Sequence, residues 1–291
     1  MPEPLALRLA PPFGKFMRRG TEVRIVQSMQ MVLGPAYRNP EGWRKLWASH
    51  SEQAALALIE LIHLHKLPVG EVRGRITIEG EEHLQASLRS DRGAMLFINH
   101  LGNMACAVGG LAIRGYDVTL AGNRIWVPFL EKKLVEIHDR VGAQRVHLGR
   151  DMAWTAGKIF RRNGIFATFF DFSVNRRHDA WLGFGRAEMS VSLAPAILAI
   201  RNGVDILCAS CIRLPGNRHR VVINPPLRVS IEGDARASAA ALMGKAVRLL
   251  YDDLSKRPEE WWPWDKSHLR LRDRTSDPLS IIRETPEFLP V

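Results

Sequence analysis

The sequence predicts an α/β fold with a mostly parallel central sheet and helices on both faces. Short apolar runs alternate along the chain with longer segments in which apolar residues recur at every third or fourth position. The first pattern is typical of buried strands and the second of amphipathic helices, and their alternation indicates a parallel sheet covered on both sides. With 291 residues and a hydrophobic content of 46%, the chain can bury one sizeable core.

The first predicted elements are a long helix, a strand, a short helix and a buried strand. Over residues 41–66, tryptophan, leucine and alanine residues mostly follow helical spacings. Residues 75–79 alternate between apolar and polar side chains, which predicts a strand. A short helix over 81–89 then leads through a Ser-Asp-Arg-Gly turn into 94–98, a wholly apolar run that predicts a buried strand.

The rest of the chain continues the alternation. The predicted helices are 103–113, 128–141, 151–162, 189–201 and 237–256, and the predicted strands are 117–121, 165–170 and 204–209. Residues 220–223 and 227–231 flank two prolines and are predicted to close the sheet as an antiparallel pair. The expected divisions are an N-terminal segment over 1–23, a single domain over 24–270 and a C-terminal tail over 271–291.

The charge of the chain restricts its partners. A net charge of +11 and a pI of about 10.1 favour anionic partners, namely membrane headgroups, an acidic carrier protein or nucleic acid. Nucleic acid is not expected, because the chain shows no recognisable nucleic-acid-binding module and its basic residues are spread out. The alternative is that the charge serves solubility alone.

The cysteines indicate a reduced protein without a metal site. Cys106, Cys208 and Cys211 all stand in apolar contexts. The last two have Cys-x-x-Cys spacing but lack a second pair of ligands, so we interpret all three as buried thiols in a reducing cytosolic compartment.

No apolar run approaches the roughly 18 residues of a membrane span, and no secretory signal is expected because Pro11 and Pro12 interrupt the apolar run at the N-terminus. The N-terminal segment is expected either to lie on an anionic membrane surface or to be disordered. The expected location is the cytoplasm, with a peripheral position on the inner face of the cell membrane as the finer alternative.

A histidine just past the strand over 94–98 is the first functional candidate. His100 follows Asn99 and precedes Gly102. The carboxyl edge of a parallel sheet is where such folds bind ligands, and imidazole is suited to take a proton near neutral pH. On this stretch alone, a structural histidine in a connecting loop is an equal alternative.

The residues around His100 resemble the motif region of the lipid A biosynthesis lauroyl/myristoyl acyltransferases, a family of the lysophospholipid acyltransferase-like superfamily. His100, Gly102 and Asn103 match its His-x4-Asp/Glu motif, whereas Ala105 replaces the acidic residue. The resemblance covers residues 24–270, and its further matches, in order, are Asn123-Arg124, Asn163–Asp171, Phe184–Ala187, Leu193–Ala199 and Arg257–Trp264.

The resemblance implies a glycerolipid-acyltransferase-like fold and transfer of an acyl group from an acyl carrier protein or acyl-CoA thioester. The acceptor would be a hydroxyl or amine of a lipid, a saccharolipid or a carrier-tethered or specialised metabolite. No cofactor or metal is expected besides the acyl donor. The expected partner is an acyl carrier protein or carrier domain, with an anionic membrane surface as a second partner. The alternative is a catalytically impaired acyl- or thioester-binding protein that kept the fold.

The catalytic residues are expected to be His100 as base, Arg124 as the group that holds the oxyanion or a donor phosphate, and Asp171 as the orienting acid. Asp171 is the first choice to compensate for Ala105, because it ends the strand over 165–170 at the same edge as His100. The two alternatives are an amine acceptor, which makes smaller demands on the base, and a protein that is inactive or has been altered. The expected substrate-binding residues are Gly102, Asn103, Asn123, Gly185 and Arg186.

Two further groups of residues admit structural or functional interpretations. Trp261, Trp262 and Trp264 are expected to cap the core in preference to contacting a membrane. Glu259 and Glu260 before them are expected to face solvent. Basic clusters at 161–162 and 176–178 would meet an acidic carrier protein or phosphates, or else form a solvated face.

Overall fold

A seven-stranded, mostly parallel sheet forms the centre of the fold, as the sequence predicts. The computed structural model describes residues 3–34, 40–124, 128–149, 151–172, 179–229, 234–265 and 268–271. The strands are β1 (Ile76–Glu79), β2 (Ala94–Ile98), β3 (Val118–Gly122), β4 (Gln144–His147), β5 (Ile165–Phe169), β6 (Asp179–Phe184), β7 (Ala187–Ser192), β8 (Asp205–Leu214), β9 (Arg218–Ile223) and β10 (Leu269–Leu271).

Helices surround this sheet. They are α1 (Glu3–Arg8), α2 (Ala10–Met17), α3 (Glu22–Leu33), α4 (Pro40–Lys66), α5 (Val69–Arg75), α6 (Glu81–Leu88), α7 (Ala105–Ala112), α8 (Pro128–Val141), α9 (Met152–Arg161), α10 (Ala194–Asn202) and α11 (Ala235–Leu254). Short 3-10 turns cover Pro258–Glu260 and Trp262–Asp265.

The strand order β1-β9-β8-β2-β5-β3-β4 places β2 near the middle of the sheet. Strand β2 pairs in parallel with both β5 and β8, and β3 pairs in parallel with β5 and β4. The carboxyl ends of these five strands therefore meet at one edge. All five residues of β2 are completely buried, which explains why its sequence is apolar throughout.

A second sheet, β10-β7-β6, is antiparallel and corrects one prediction. The helix expected over 189–201 begins only at Ala194, because residues up to Ser192 belong to β7. Ala187, Met189 and Val191 alternate into the core, while Glu188 is buried beside Arg270 at 2.7 Å. The short period-two pattern is the signal of this strand, and Pro195 marks the first turn of the helix.

The end of the large sheet also differs from prediction. Strand β8 extends to Leu214, five residues beyond the expected end at 209, and pairs antiparallel with β9. The predicted pairing of 220–223 with 227–231 is wrong for the described residues, since 224–229 form no strand there. The two prolines at 225 and 226 lack the N–H that a strand ladder needs.

Strand β4, at the opposite edge of the sheet, does not follow from the sequence, because it is mostly polar and only partly buried.

The N-terminal residues form helices that pack on α4. Ala6, Ala10 and Gly14 are buried, and a Cβ at Gly14 would overlap the backbone oxygen of Ser51. Most of residues 3–17 are therefore helical, and these helices pack on α4. Of the helices in the described ranges, none combines the length and apolarity needed to cross a bilayer. Residues 272–291, most of the expected tail, lie outside the described chain, as does the basic cluster at 176–178.

Buried side chains form one hydrophobic core on each face of the sheet. The predictions for the cysteines and for the tryptophan-rich segment can be compared with these cores. Cys106, Cys208 and Cys211 are free and buried, which confirms the interpretation as buried thiols. Trp261 and Trp264 are completely buried in the core, as predicted. The prediction that Glu260 faces solvent is wrong.

Glu260 is buried because the segment around it lies across the end of β2, where the backbone N–H of Gly102 donates to its carbonyl at 3.1 Å. This burial raises the pKa of its carboxyl, partly offset by the charges of Arg213 and Arg257.

Candidate active site

The register of β2 and β5 brings two polar residues together at the carboxyl edge of the sheet. Ile98 pairs with Phe169, so that the second residue after each strand, His100 and Asp171, lies opposite the other. Both strands end there, and the side chains that follow them are free to turn towards one another above the edge. The contact that the argument from strand ends predicts is therefore present.

The Asp171 carboxylate accepts three hydrogen bonds. Its Oδ1 lies 2.7 Å from Nδ1 of His100, while Oδ2 accepts from the backbone N–H of His100 at 2.7 Å and from Nε1–H of Trp261 at 2.8 Å. The carboxylate is completely buried. A buried charge is tolerated when its acceptor sites are satisfied in this way.

The protonation of this pair follows from its surroundings. Burial alone would raise the pKa of Asp171, but the His100 charge and the hydrogen bonds from His100 and Trp261 outweigh burial and lower that pKa. Asp171 is therefore ionised at neutral pH and can only accept hydrogen bonds. Consequently Nδ1 of His100 carries the proton that it donates to Asp171, and in the neutral ring Nε2 is the acceptor.

The imidazole is held at a fixed orientation with one side open. Its ring stacks on Phe169, with ring centroids 4.2 Å apart and planes inclined by 24°. The side chain of His100 retains 19% of its exposure. Nε2 makes no hydrogen bond to the described residues, so it is the ring nitrogen that an incoming group can reach. The arrangement can take a proton from a bound hydroxyl or amine and return it later.

The segment around Trp261 fixes the backbone of the His100 loop. Leu101 and Trp261 form an isolated antiparallel bridge, and Trp262 N–H donates to the His100 carbonyl at 3.1 Å. Nε1–H of Trp262 also donates to the carbonyl of Gly102 at 3.1 Å. Gly102 has a φ of +62°, and a Cβ there would overlap the backbone oxygen of Cys211. Glycine is therefore required for this close approach.

Asn103, predicted to bind substrate, anchors the loop to α4. Its amide donates to the carbonyl of Ala57 at 3.2 Å and to Oε2 of Glu60 at 3.3 Å. Glu60 is itself buried and forms an ion pair with Arg213 at 2.7 Å. Asn103 thus links the active-site loop to a buried charged pair, which is a structural contribution to the site.

Asn123 and Arg124 lie at the carboxyl edge, at the end of β3, and both side chains are exposed. Strand β5 lies between β3 and β2 in the sheet. Since neighbouring strands are about 5 Å apart, β3 is about 10 Å from β2. Arg145 donates to the carbonyl of Asn123 at 2.8 Å and holds the start of this loop. The two residues therefore flank the His100 site at a distance, on the same edge of the sheet.

Gly185 and Arg186 occupy the turn between β6 and β7, in the second sheet. A Cβ at Gly185 would overlap the carbonyl oxygen of Val32 and the ring of Tyr251. The backbone N–H of Arg186 donates to that same carbonyl at 2.9 Å. These contacts attach the turn to α3 and α11. The side chain of Arg186 is exposed, and the binding of substrate by these two residues stays a prediction.

Ala105, which stands at the acidic position of the motif, begins α7 and lines a small apolar cleft. The cleft has a volume of about 30 Å³, which is no more than a water molecule or two. Its lining at this end includes Leu61, Leu64 and Cys106. The carboxylate that contacts His100 thus comes from the neighbouring strand β5 and not from the helix that follows the histidine.

The contact of Trp261 with the site does not follow from the sequence. Its position in a tryptophan-rich run predicts burial, which is correct, but no local pattern relates it to Asp171, 90 residues earlier. The isolated bridge to Leu101 creates this contact.

Two comparisons with known proteins give different results. The family model described as bacterial lipid A biosynthesis acyltransferase matches residues 1–265 of the chain. No curated protein sequence matches the chain at a significant level.

Proposed function

Because the chain belongs to the bacterial lipid A biosynthesis acyltransferase family, whose members transfer acyl groups to lipid-like acceptors, we propose that His100 and Asp171 are its catalytic base and orienting acid. The observation that carries this proposal is the 2.7 Å contact between Nδ1 of His100 and Oδ1 of Asp171, together with the open Nε2. It supplies a carboxylate partner although the motif itself has Ala105.

The proposed reaction begins when Nε2 of His100 takes the proton of the acceptor hydroxyl. The hydroxyl oxygen attacks the thioester carbonyl and forms a tetrahedral intermediate, while Asp171 stabilises the imidazolium. Collapse of the intermediate breaks the carbon–sulfur bond, and Nε2–H returns the proton to the departing thiolate. The products are the acyl ester and the free thiol of the carrier, and the histidine regains its starting tautomer.

We propose a hydroxyl, of a lipid or saccharolipid, as the acceptor in preference to an amine. A hydroxyl is a weak nucleophile at neutral pH and needs a positioned base, whereas a free amine needs much less assistance. A histidine whose tautomer is fixed by a buried carboxylate is such a base, and it therefore suits a hydroxyl acceptor. The completeness of this pair also counts against the alternative of an impaired acyl-binding protein.

We propose an acyl carrier protein as the donor, with acyl-CoA as the alternative. The net charge of +11 favours an acidic carrier, and Arg124 lies exposed at the edge of the sheet that holds His100. Because Arg124 extends from a strand end about 10 Å from that of β2, its position suits a phosphate of the donor better than the oxyanion beside His100. A location at the inner face of the cell membrane, in the cytoplasm, fits both substrates.

The test is an acyl-transfer assay with purified protein, an acylated carrier protein or acyl-CoA, and a lipid acceptor. His100→Ala should lower the rate by about two to four orders of magnitude, because the base is lost. His147→Ala is the matched control, since His147 ends β4 at the same edge but is exposed and lies away from Asp171. It should keep near-normal activity. Near-normal transfer by His100→Ala would show that the mechanism is wrong, and binding of donor without turnover by the unmodified chain would favour the impaired alternative.

A further inference from the structure

The N-terminal helices expose a continuous row of large apolar side chains. Leu5, Leu9, Phe13 and Phe16 follow one another at spacings of four, four and three residues, so they lie along one side of α1 and α2. Their exposed fractions are between 39% and 75%, the largest being that of Phe16. We call these four residues the apolar stripe. Side chains of this size are seldom exposed together without a partner.

The stripe is distinct from the surface by which these helices pack on the protein. Ala6, Ala10 and Gly14 form that surface, and Gly14 lies directly against the backbone of Ser51 in α4. The helices are therefore already docked through small residues, and the large apolar side chains are left facing outwards. Neither packing nor the core of the domain explains the stripe.

Basic side chains border the stripe. Residues 4–21 contain four basic residues and no acidic residue. Of these, Arg8, Lys15 and Arg19 are exposed. Met17 at the end of α2 and Val23 at the start of α3 are further exposed apolar residues, with exposed fractions of 42% and 66%. An apolar stripe with cationic neighbours is the composition of helices that lie in the interface of an anionic bilayer.

The helices that carry the stripe pack on the part of α4 that contacts the segment beside the His100 loop. Next to Ser51, which Gly14 contacts, Nδ1 of His50 lies 3.0 Å from the carbonyl of Glu259. That carbonyl belongs to the same short segment as Trp262, whose N–H donates to the carbonyl of His100 at 3.1 Å. A short series of direct contacts thus connects α2 to the His100 loop.

We infer that the apolar stripe and its basic neighbours are a docking surface for an anionic lipid bilayer, in which α1 and α2 lie parallel to the membrane plane. The apolar side chains enter the region between headgroups and acyl chains, while the arginines and the lysine contact lipid phosphates. If the proposed function is correct, this docking holds the active site close to a lipid acceptor. The docking itself does not depend on turnover.

The experiment is vesicle flotation of the full chain with phosphatidylcholine vesicles, with and without phosphatidylglycerol, at low and high salt. The unmodified protein should float with the anionic vesicles and keep part of its binding at high salt, since salt screens charge but not apolar contact. The double variant Leu9→Ser with Phe16→Ser should lower the partition coefficient by about tenfold or more. The double variant Lys15→Gln with Arg19→Gln should lose the salt-sensitive part of the binding.

Two controls keep the result specific. Trp154→Ser removes a side chain of comparable exposure, 61%, from α9 and should float like the unmodified protein. His100→Ala should also float normally, which separates docking from catalysis. The inference is overturned if the unmodified protein does not float, if the Leu9 and Phe16 variant floats like it, or if Trp154→Ser loses as much. Self-association of the unmodified chain that the Leu9 and Phe16 variant abolishes, without vesicle binding, would assign the stripe to a second copy instead.

Discussion

The Asp171 carboxylate accepts two hydrogen bonds from His100 and one from Trp261 while completely buried. At the scale of residues, this one side chain therefore sets the tautomer of the histidine and the position of its backbone. Its two oxygens are not equivalent, because Oδ2 serves two donors and Oδ1 serves only the ring. This asymmetry determines what a substitution would do.

Asp171→Asn should reduce kcat by about two to four orders of magnitude with little change in KM. The amide oxygen would take the position of Oδ2, where it accepts from the His100 backbone N–H and from Trp261. The NH2 group would then take the position of Oδ1 and donate to Nδ1 of His100. The imidazole would then carry its proton on Nε2 and could not accept one from the acceptor. Asp117→Asn, in an exposed ion pair with Arg162, is the matched control and should leave kcat unchanged. A loss of less than about threefold at Asp171 would contradict the assigned role.

Trp261→Phe should remove one hydrogen bond to the buried carboxylate and keep most of the aromatic packing. The expected cost is about 1.5–3 kcal/mol in the free energy of unfolding, because the lost bond involves a charged acceptor. Activity should fall less than in Asp171→Asn, since both bonds from His100 remain. Urea unfolding measures the effect, and Trp154→Phe at an exposed position is the control. Equal stabilities for the two variants would show that the Nε1–H bond contributes nothing.

At the scale of elements, the site depends on the pairing of β2 with β5 and on the segment that crosses the end of β2. The register alone brings His100 opposite Asp171, and residues 260–262 hold the loop from the other side. At Gly102 this loop passes close to β8, beside the carbonyl of Cys211. The pairing of these strands and the packing of this segment therefore define how close His100 lies to Asp171.

Gly102→Ala should destabilise the protein by more than about 3 kcal/mol and lower activity, because a methyl group there adds a backbone overlap to an unfavourable φ. Gly115→Ala separates the two effects. Gly115 also has a positive φ, +90°, but nothing lies within 4 Å of the position its Cβ would take. It should lose only about 1 kcal/mol, with normal activity. Urea unfolding and the transfer assay measure both, and similar losses in the two variants would contradict the proposed close approach.

At the scale of the whole molecule, folding removes one histidine from water. His138 is buried in α8, and within the described chain neither of its ring nitrogens has a hydrogen-bond partner. Burial, aided by the charge of Arg145, lowers its pKa from 6.5 to about 4, although the charge of Glu131 opposes this. The folded protein therefore keeps this ring neutral at pH values where the unfolded chain would protonate it.

The free energy of unfolding should accordingly fall as the pH decreases from about 6.5 to about 4, by up to about 3 kcal/mol from this residue. The unfolded chain binds the extra proton in that window, so acid favours unfolding. His138→Leu should flatten the stability profile between these pH values, whereas His147→Ala, at an exposed position, should not. Urea unfolding over the pH range measures this. An unchanged slope in His138→Leu would show that His138 does not titrate as described.

Much of the fold follows from the sequence, because hydrophobic periodicity reports how each segment is exposed to solvent. The bounds of β2 and α8 agree with prediction, and β5 and α4 agree to within one residue. The position of His100 at a strand end also follows from the sequence, as does the choice of Asp171, since parallel strands share one carboxyl edge. The family resemblance contributed the acyl-transfer chemistry, which no periodicity contains.

What only the tertiary structure decided depends on contacts between segments far apart in the chain. The sequence assigns residues 189–192 of β7 to the helix that follows, and the edge strand β4 is too polar for a periodic pattern to identify. The burial of Glu260, the bond from Trp261 to Asp171 and the packing role of Asn103 arise where chain segments cross. A local pattern records the average environment of a segment, whereas a hydrogen bond requires a particular partner at a particular distance. Long-range packing supplies that partner, and it therefore decided the geometry of the candidate active site.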